Sequence, residues 1–248
     1  MSAKTHNWTR DDALEACASY RANDRCYWSA TTLEYESAEQ MLMMVDFGKM
    51  NAQEALELGV SSLESSTSNI AVITGSTSAL GATTGAATSS VSNGTTYSVS
   101  GKRAVSYRGV ENPWGNMWRI VSNAVAVGEG AQGGGRIVVN NVVTNLQLPS
   151  VYGWVSAMGY DEDNDWIYVP ASCSGGNSSV PVGDNLWTTA NLNTTNNVLV
   201  GGTWSFKESN GPFYYACDKN STNVMGISTG VRLMGRPFYN AANYVSNI

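Results

Sequence analysis

The sequence predicts an α+β fold with its helices first and its strands later. Three observations carry that expectation. Capping signals at helical spacing are confined to the first quarter of the chain, short β-branched and aromatic runs between Gly, Asn and Pro fill the later part, and no repeat of fixed period is visible. Thr9-Arg10-Asp11-Asp12 reads as a capping box ahead of Leu14, Cys17 and Tyr20. Ser37-Ala38-Glu39-Gln40 reads as a second box leading into "MLMMVDF", and a short third helix is expected from Asn51 through Leu58, stopped by Gly59. The side formed by Met41, Met44, Val45 and Phe47 is expected to be core, because a Met-rich helical stripe fills core gaps more often than it holds a cofactor. From Ser65 to Gly101 the composition turns to Ser, Thr, Gly and Ala, which implies extended segments and long loops. Strand-like runs follow: "KRAVSYRGV", "RIVVNNVV", "DWIYVPA" and "NVLVGG".

The 248 residues suffice for one large domain or two small ones, and no clean linker divides them. Only 14% of residues are charged, while eight Trp and twelve Tyr accompany abundant Gly, Ser, Thr and Asn, a mixture suited to loop-rich β surfaces. A net charge of −6 with no basic run argues against capture of nucleic acid or anionic membrane. No charged leader precedes an apolar core, and no apolar run approaches about eighteen residues, so neither a secretory signal nor a bilayer span is expected. Cys17, Cys26, Cys173 and Cys217 include no Cys-x-x-Cys pair, so buried free thiols are expected in preference to zinc. Spacing leaves a Cys17–Cys26 bridge open.

Several motifs invite enzymatic readings that the residues do not support. "NIAVITGSTSALG" is similar to the nucleotide-binding turn of short-chain dehydrogenases, and Tyr215-x-x-x-Lys219 follows at a distance. Ala79 stands where close backbone approach needs Gly, and no amphipathic helix follows to hold a pyrophosphate. "YDEDNDW" sets Asp161, Asp163 and Asp165 at alternate positions, but Trp166 and Ser172 occupy the EF-hand places of Gly and Glu. An acidic turn between strands is the favoured reading, and no metal site is assigned. Glu111 with Asp161 or Asp184 could be proposed as a glycosidase pair, without support from spacing. The only histidine, His6, lies near the N-terminus and no G-x-S-x-G elbow occurs, so no catalytic residue and no cofactor is assigned.

Two stretches remain. In "SYRGVENPWGNMW", Arg108 and Glu111 are close enough to pair and Trp114 and Trp118 offer large burial, so a structural corner around a buried ion pair is expected. Gly201 to Asn223, "GGTWSFKESNGPFYYACDKNSTN", gathers five rings where the composition says loop. Strands bury alternate side chains, so Trp204, Phe206 and Tyr214 could instead point into the core.

"YRGVENPWGNMW", "YDEDNDWIYVP", "VGDNLW" and "GGTWSFKESNGPFYYACDKNSTNVMGISTGVRL" resemble, in that order, bacteriophage virion proteins with a C-type-lectin-like domain. Such domains are related to formylglycine-generating enzymes and to retroelement-diversified variable proteins. "SAEQMLMMVDFGKMNAQEALELGV" is similar to their helix and following segment, so the resemblance runs from about Thr9 to Leu233. It implies a C-type-lectin-like fold in which an antiparallel sheet carries long, irregular, ligand-facing loops. The exposed positions of the diversified relatives fall here on Ser205, Phe206, Glu208, Ser209, Phe213, Tyr215, Asp218, Asn220 and Asn223. Tyr and Trp give amphipathic contact area at little rotamer cost, and Ser, Gly and Asn adapt their hydrogen bonds. Trp204 and Arg232, in the Gly-Gly-x-Trp and Gly-x-Arg-Leu motifs, join Arg108, Glu111, Trp114 and Trp118 as structural residues.

This chain departs from the family at known sites. Cys217 stands without the reactive partner the oxidases need, and the lectin calcium triplets do not occur. The expectation is therefore a non-enzymatic virion adhesin, on tail or capsid, that binds a host surface glycan or protein. The alternative is a structural or decoration subunit contacting other virion proteins. A homo-oligomer, trimeric as in many fibres, is implied by the family. One domain is expected over 1–235 with the Ser/Thr/Gly-rich insertion at about 65–101, and a tail over 236–248 as contact or tether. Replacing Tyr215 and Phe213 with Ala is expected to abolish attachment with the melting temperature nearly unchanged.

Overall fold

The computed structural model describes residues 2–4, 8–23, 26–64, 70–128, 135–174, 181–188 and 194–237. His6, the tail beyond Pro237, and the side chains of Cys26 and Asp165 lie outside the described residues. The chain opens with β1 (Ser2–Lys4), α1 (Arg10–Ser19), β2 (Arg21–Asn23), β3 (Cys26–Ala30), α2 (Leu33–Phe47) and α3 (Ala52–Ala55). The capping box of α1 forms as expected: Asp12 N–H donates to Thr9 Oγ1, and Thr9 N–H donates to Asp12 Oδ2 at 2.8 Å. Ala13 and Cys17 are its buried residues. Cys17 is a free thiol, so the Cys17–Cys26 bridge does not form; Cys217 is likewise buried and free, and Cys173 free and half-buried.

Helix α2 corrects the sequence reading. It begins at Leu33 under the cap of Thr32, ahead of the box expected at Ser37, and ends at Gly48, which takes a left-handed φ of 65°. Its buried face is Leu33, Glu36, Ser37, Glu39, Gln40 and Met43, while Val45 is 80% exposed and Met41, Met44 and Phe47 are half-buried. Apolar periodicity misses this face because carboxylates occupy it, and buried arginines from the sheet balance them. Ser37, inside the helix, accepts from the Tyr168 N–H at 3.0 Å, which ties α2 to a strand edge. Helix α3 is one turn, capped by Asn51 and shorter than expected.

The middle of the chain forms small sheets from β4 (Gly85–Ala86), β5 (Ser90–Ser92), β6 (Thr95–Tyr97), β7 (Val105–Tyr107) and β8 (Val110–Glu111). The turn that is similar to a nucleotide-binding loop does other work. Gly75 N–H, Thr77 N–H and Thr77 Oγ1 all donate to the Glu111 carboxylate, at 2.9, 2.7 and 2.9 Å. Arg108 pairs instead with Asp46 at 2.9 Å, so the expected Arg108–Glu111 pair is not formed. Seven residues of this unit and its surroundings, Val60, Leu63, Val72, Ala87, Ala104, Met117 and Trp204, make one core cluster.

The remaining strands are β9 (Trp118–Val127), β10 (Arg136–Val139), β11 (Val142–Gln147), β12 (Gly153–Asp161), β13 (Asn164–Ser174), β14 (Asn185–Trp187), β15 (Thr195–Val200), β16 (Tyr215–Ala216) and β17 (Thr229–Pro237). They form one large sheet in the order β13-β12-β14-β16-β15-β9-β17-β3-β2, with β10 and β11 branching from β9 and β1 pairing with β17. The sheet is mixed where an antiparallel one was expected: β14–β16 and β17–β9 are parallel pairs. The run "RIVVNNVV" is a hairpin, because Asn140 and Asn141 take φ of 50° and 65°, the left-handed pair that a two-residue turn requires. The sheet curls into a half-barrel. Asp161, at the end of β12, accepts from the Asn145 N–H of β11 at 3.1 Å, bringing separate edges together, and Asp163 N–H also donates to Asp161. The acidic turn thus satisfies backbone groups. Among the described residues no group of three His, Cys, Asp or Glu is placed to hold a metal ion, and no helix is long and apolar enough to cross a membrane. The main core fills the curl with Val121, Ile137, Leu146, Val155, Ile167, Leu186, Val198, Phe213 and Tyr215.

Candidate functional site

Backbone geometry at the Gly-Gly-x-Trp segment directs the site. Gly201 and Gly202 take φ of 91° and 80°, and a Cβ on Gly202 would collide with Asn210 Oδ1. The Asn210 side chain accepts from Thr203 N–H and donates to Thr203 C=O, both at 2.8 Å, closing the loop that carries Phe206 outward. Trp204 turns inward, fully buried. Beyond Gly211, Phe213 N–H donates to Asp184 Oδ2 at 2.7 Å, and Tyr215 OH donates to Tyr168 C=O at 2.8 Å. Phe213 and Tyr215 are both 0% exposed and belong to the main core. Their assignment as ligand contacts is therefore corrected: this segment turns these two rings to the inside of the curled sheet.

Tyr214, between them, faces the other way and meets Trp118 edge-on at 4.6 Å, with Phe206 completing a three-ring group at 5.8 Å from Tyr214 and 6.0 Å from Trp118. These rings form one wall of a cleft of about 720 Å³. Trp187, 45% exposed on β14, forms another, and Tyr152 stacks on it at 4.9 Å. Leu199, Ala216, Val224 and Met225 add to the apolar lining, while Asn185, Ser209, Asp218, Lys219 and Asn223 supply polar groups. Asp218 and Lys219 pair with each other at 3.1 Å.

The loop closing the cleft is tied to β15. Asn197 N–H donates to Lys219 C=O at 2.8 Å, Ser221 N–H to Thr195 C=O at 2.9 Å, and Asn196 Nδ2 to Cys217 C=O at 2.8 Å. Asn196 and Asn197 are buried to do so, and the wall is held in place before any ligand arrives.

Of the positions expected to contact ligand, Phe206, Ser209, Asp218 and Asn223 line the cleft. Ser205 is half-buried beside Thr203, and Glu208 is exposed outside the cleft lining. Asn220 shapes the loop, its Oδ1 accepting from Thr222 N–H and Oγ1. Sequence reasoning missed Trp187 and Asn185, although "VGDNLW" carries the signal: Leu186 is fully buried, so its neighbours on either side face the opposite surface. Trp118, expected to be structural, is both packed and on the cleft. Tyr215 and Lys219 do not form a catalytic pair, since one is in the core and the other on the cleft. Glu111, Asp161 and Asp184 lie outside the cleft lining, whose one carboxylate among the described residues is Asp218.

Behind the site lies a buried ionic group. Arg119 grips Glu36 with two hydrogen bonds, at 2.7 and 3.2 Å, and Arg232 Nη1 lies 3.9 Å from Glu39. Burial opposes ionisation of Glu36, but the Arg119 charge and hydrogen bonds outweigh it and hold the carboxyl below its ordinary value. Burial pushes Glu39 up to about 7, the attraction of Arg232 only partly opposing it. Arg232 also donates through Nη2 to the Glu111 and Asn112 carbonyls. Trp114 is buried with its indole N–H on Leu58 C=O at 3.2 Å. Burial raises the Asp184 carboxyl well above its ordinary value, with the Phe213 N–H opposing.

No protein-family model matches the chain, and no curated protein matches its sequence.

Proposed function

We propose that the chain is a virion-displayed adhesin of the C-type-lectin-like kind, non-enzymatic, that uses the Trp118–Trp187–Phe206 cleft to engage a host surface glycan or protein. The observation that carries the reading is the cleft itself. Phe206, backed by the buried rings of Trp118 and Tyr214, and Trp187 on another part of the lining are left close to half exposed, amid adaptable Asn and Ser groups, on a wall already tied to the sheet. Half-exposed large rings around a concavity of this size mark a recognition site more often than they mark unused surface. The ordered run of motifs resembling phage virion proteins supplies the biological setting.

The test is attachment of particles carrying Trp187→Ala or Phe206→Ala. Both rings are close to half exposed, so the expected cost in stability is small, about 1 kcal/mol or less, while attachment to host cells falls at least about tenfold. Unchanged attachment with particles intact would reject the reading. Loss of particle integrity instead would favour a decoration subunit whose cleft is covered by another virion protein.

A further inference from the structure

We infer that the cleft takes an uncharged oligosaccharide at least two rings long, with one sugar between Phe206 and Trp187 and the next on Tyr152. This rests on the adhesin reading and narrows it to a chemical class and a length. The rings form a path. Phe206, 42% exposed, stands at one side of the mouth against Trp118 and Tyr214; Trp187, 45% exposed, stands on the cleft wall; and Tyr152, 63% exposed, continues outward from Trp187 at 4.9 Å with the two planes tilted by 42°. Tyr152 lies outside the cleft lining and gains no shelter from it. An aromatic platform that extends past the concavity suits a ligand that does the same.

The polar groups point to the same class. Asn185 and Asn223 each offer a donor and an acceptor on one side chain, and the Ser209 hydroxyl does both. A pyranose needs that combination: its C–H face lies on a ring, and its rim of hydroxyls donates and accepts. Charge decides between neutral and ionic sugars. The two charged groups on the cleft, Asp218 and Lys219, already pair at 3.1 Å, leaving no uncompensated charge among the described lining residues for an acidic or cationic ligand. Desolvating an ionic ligand there without a partner would cost more than the rings return. A protein partner is less favoured. Among the described residues, the exposed large apolar side chains that line the cleft are Trp187, Phe206 and Val224, with Tyr152 against Trp187, a smaller patch than a stable protein interface centres on.

The experiment is calorimetric titration of the full chain with neutral hexose and N-acetylhexosamine mono-, di- and trisaccharides, alongside sialylated trisaccharides and a proline-rich peptide. At least one neutral di- or trisaccharide is expected to bind about tenfold more tightly than its monosaccharide. Tyr152→Ala should bring the ratio of oligosaccharide to monosaccharide affinity close to one, Trp187→Ala should abolish both, and Trp187→Phe should retain binding within about threefold. Equal affinities for one and three rings, or indifference to Tyr152→Ala, would overturn the extended site. Binding confined to the sialylated sugar or the peptide, or absent for every neutral probe while Trp187→Ala still abolishes cell attachment, would overturn the sugar class and leave the adhesin reading standing. Normal attachment by both Trp187→Ala and Phe206→Ala particles would remove the reading on which this inference depends.

Discussion

Phe213, Tyr214 and Tyr215 are consecutive rings with opposite fates, and the phase of alternation decides them. Composition shows that rings gather here, and periodicity shows that neighbours must diverge, but neither tells which one faces the core. That choice is made by long-range partners: Asp184 fixes Phe213, Tyr168 and Gln40 fix Tyr215, and Trp118 receives Tyr214. Phe213→Ala or Tyr215→Ala is therefore expected to cost about 3–5 kcal/mol, read as a drop in the denaturation midpoint, in place of a selective loss of binding. Asp184 carries a second prediction. Burial raises its folded pKa, so its contribution to stability is complete below the unfolded carboxylate value of about 4 and is lost as pH rises through the folded value. Asp184→Asn keeps an acceptor for the Phe213 N–H. Thermal melts should show the variant more stable than wild type near pH 8, roughly, and the difference vanishing near pH 3.5.

Helix α1 was legible because its signal is local: Thr9 and Asp12 satisfy each other's backbone within four residues. The hairpin of β10 and β11 also rests on a local cause, the two left-handed asparagines, although "RIVVNNVV" reads as one strand. Helix α2 was legible as a helix but not as to its face or start. Glu36 and Glu39 look solvent-facing in any hydrophobic pattern, and the arginines that justify burying them lie 83 and 193 residues further along the chain. Glu36→Ala is expected to destabilise by about 3–5 kcal/mol, since Arg119 would be left buried without its partner. Adding Arg119→Met in the same chain should recover most of that loss. Denaturation of the single and double variants checks both statements, and equal stability of the two would place the cost in packing.

Helices before strands could be read from the chain; the curl, the mixed directions and the branching at β9 could not, because pairing partners lie far apart and no local residue encodes them. The insertion reads as Ser/Thr/Gly-rich and its turn already fails as a cofactor loop on Ala79, but its organising contact, the Glu111 carboxylate held by Gly75 and Thr77, comes from a strand that only the fold brings to it. The cleft was half legible: its Gly201–Asn223 wall was expected, whereas Trp187 comes from a strand that only the fold brings opposite. Strand β17 is set between earlier ones, parallel to β9 through Thr229 and Gly230 and antiparallel to β3 through Leu233 to Pro237, with β1 also on its early residues. A chain stopped before Thr229 should accordingly be recovered as insoluble or protease-sensitive product.

That placement makes β17 a keystone laid late. During synthesis the ribosome must release some two hundred residues with a vacant slot between two finished neighbours, each presenting bare backbone to solvent. Premature termination therefore leaves that slot open, and a truncated copy carries two unpaired edges that invite aggregation or proteolysis.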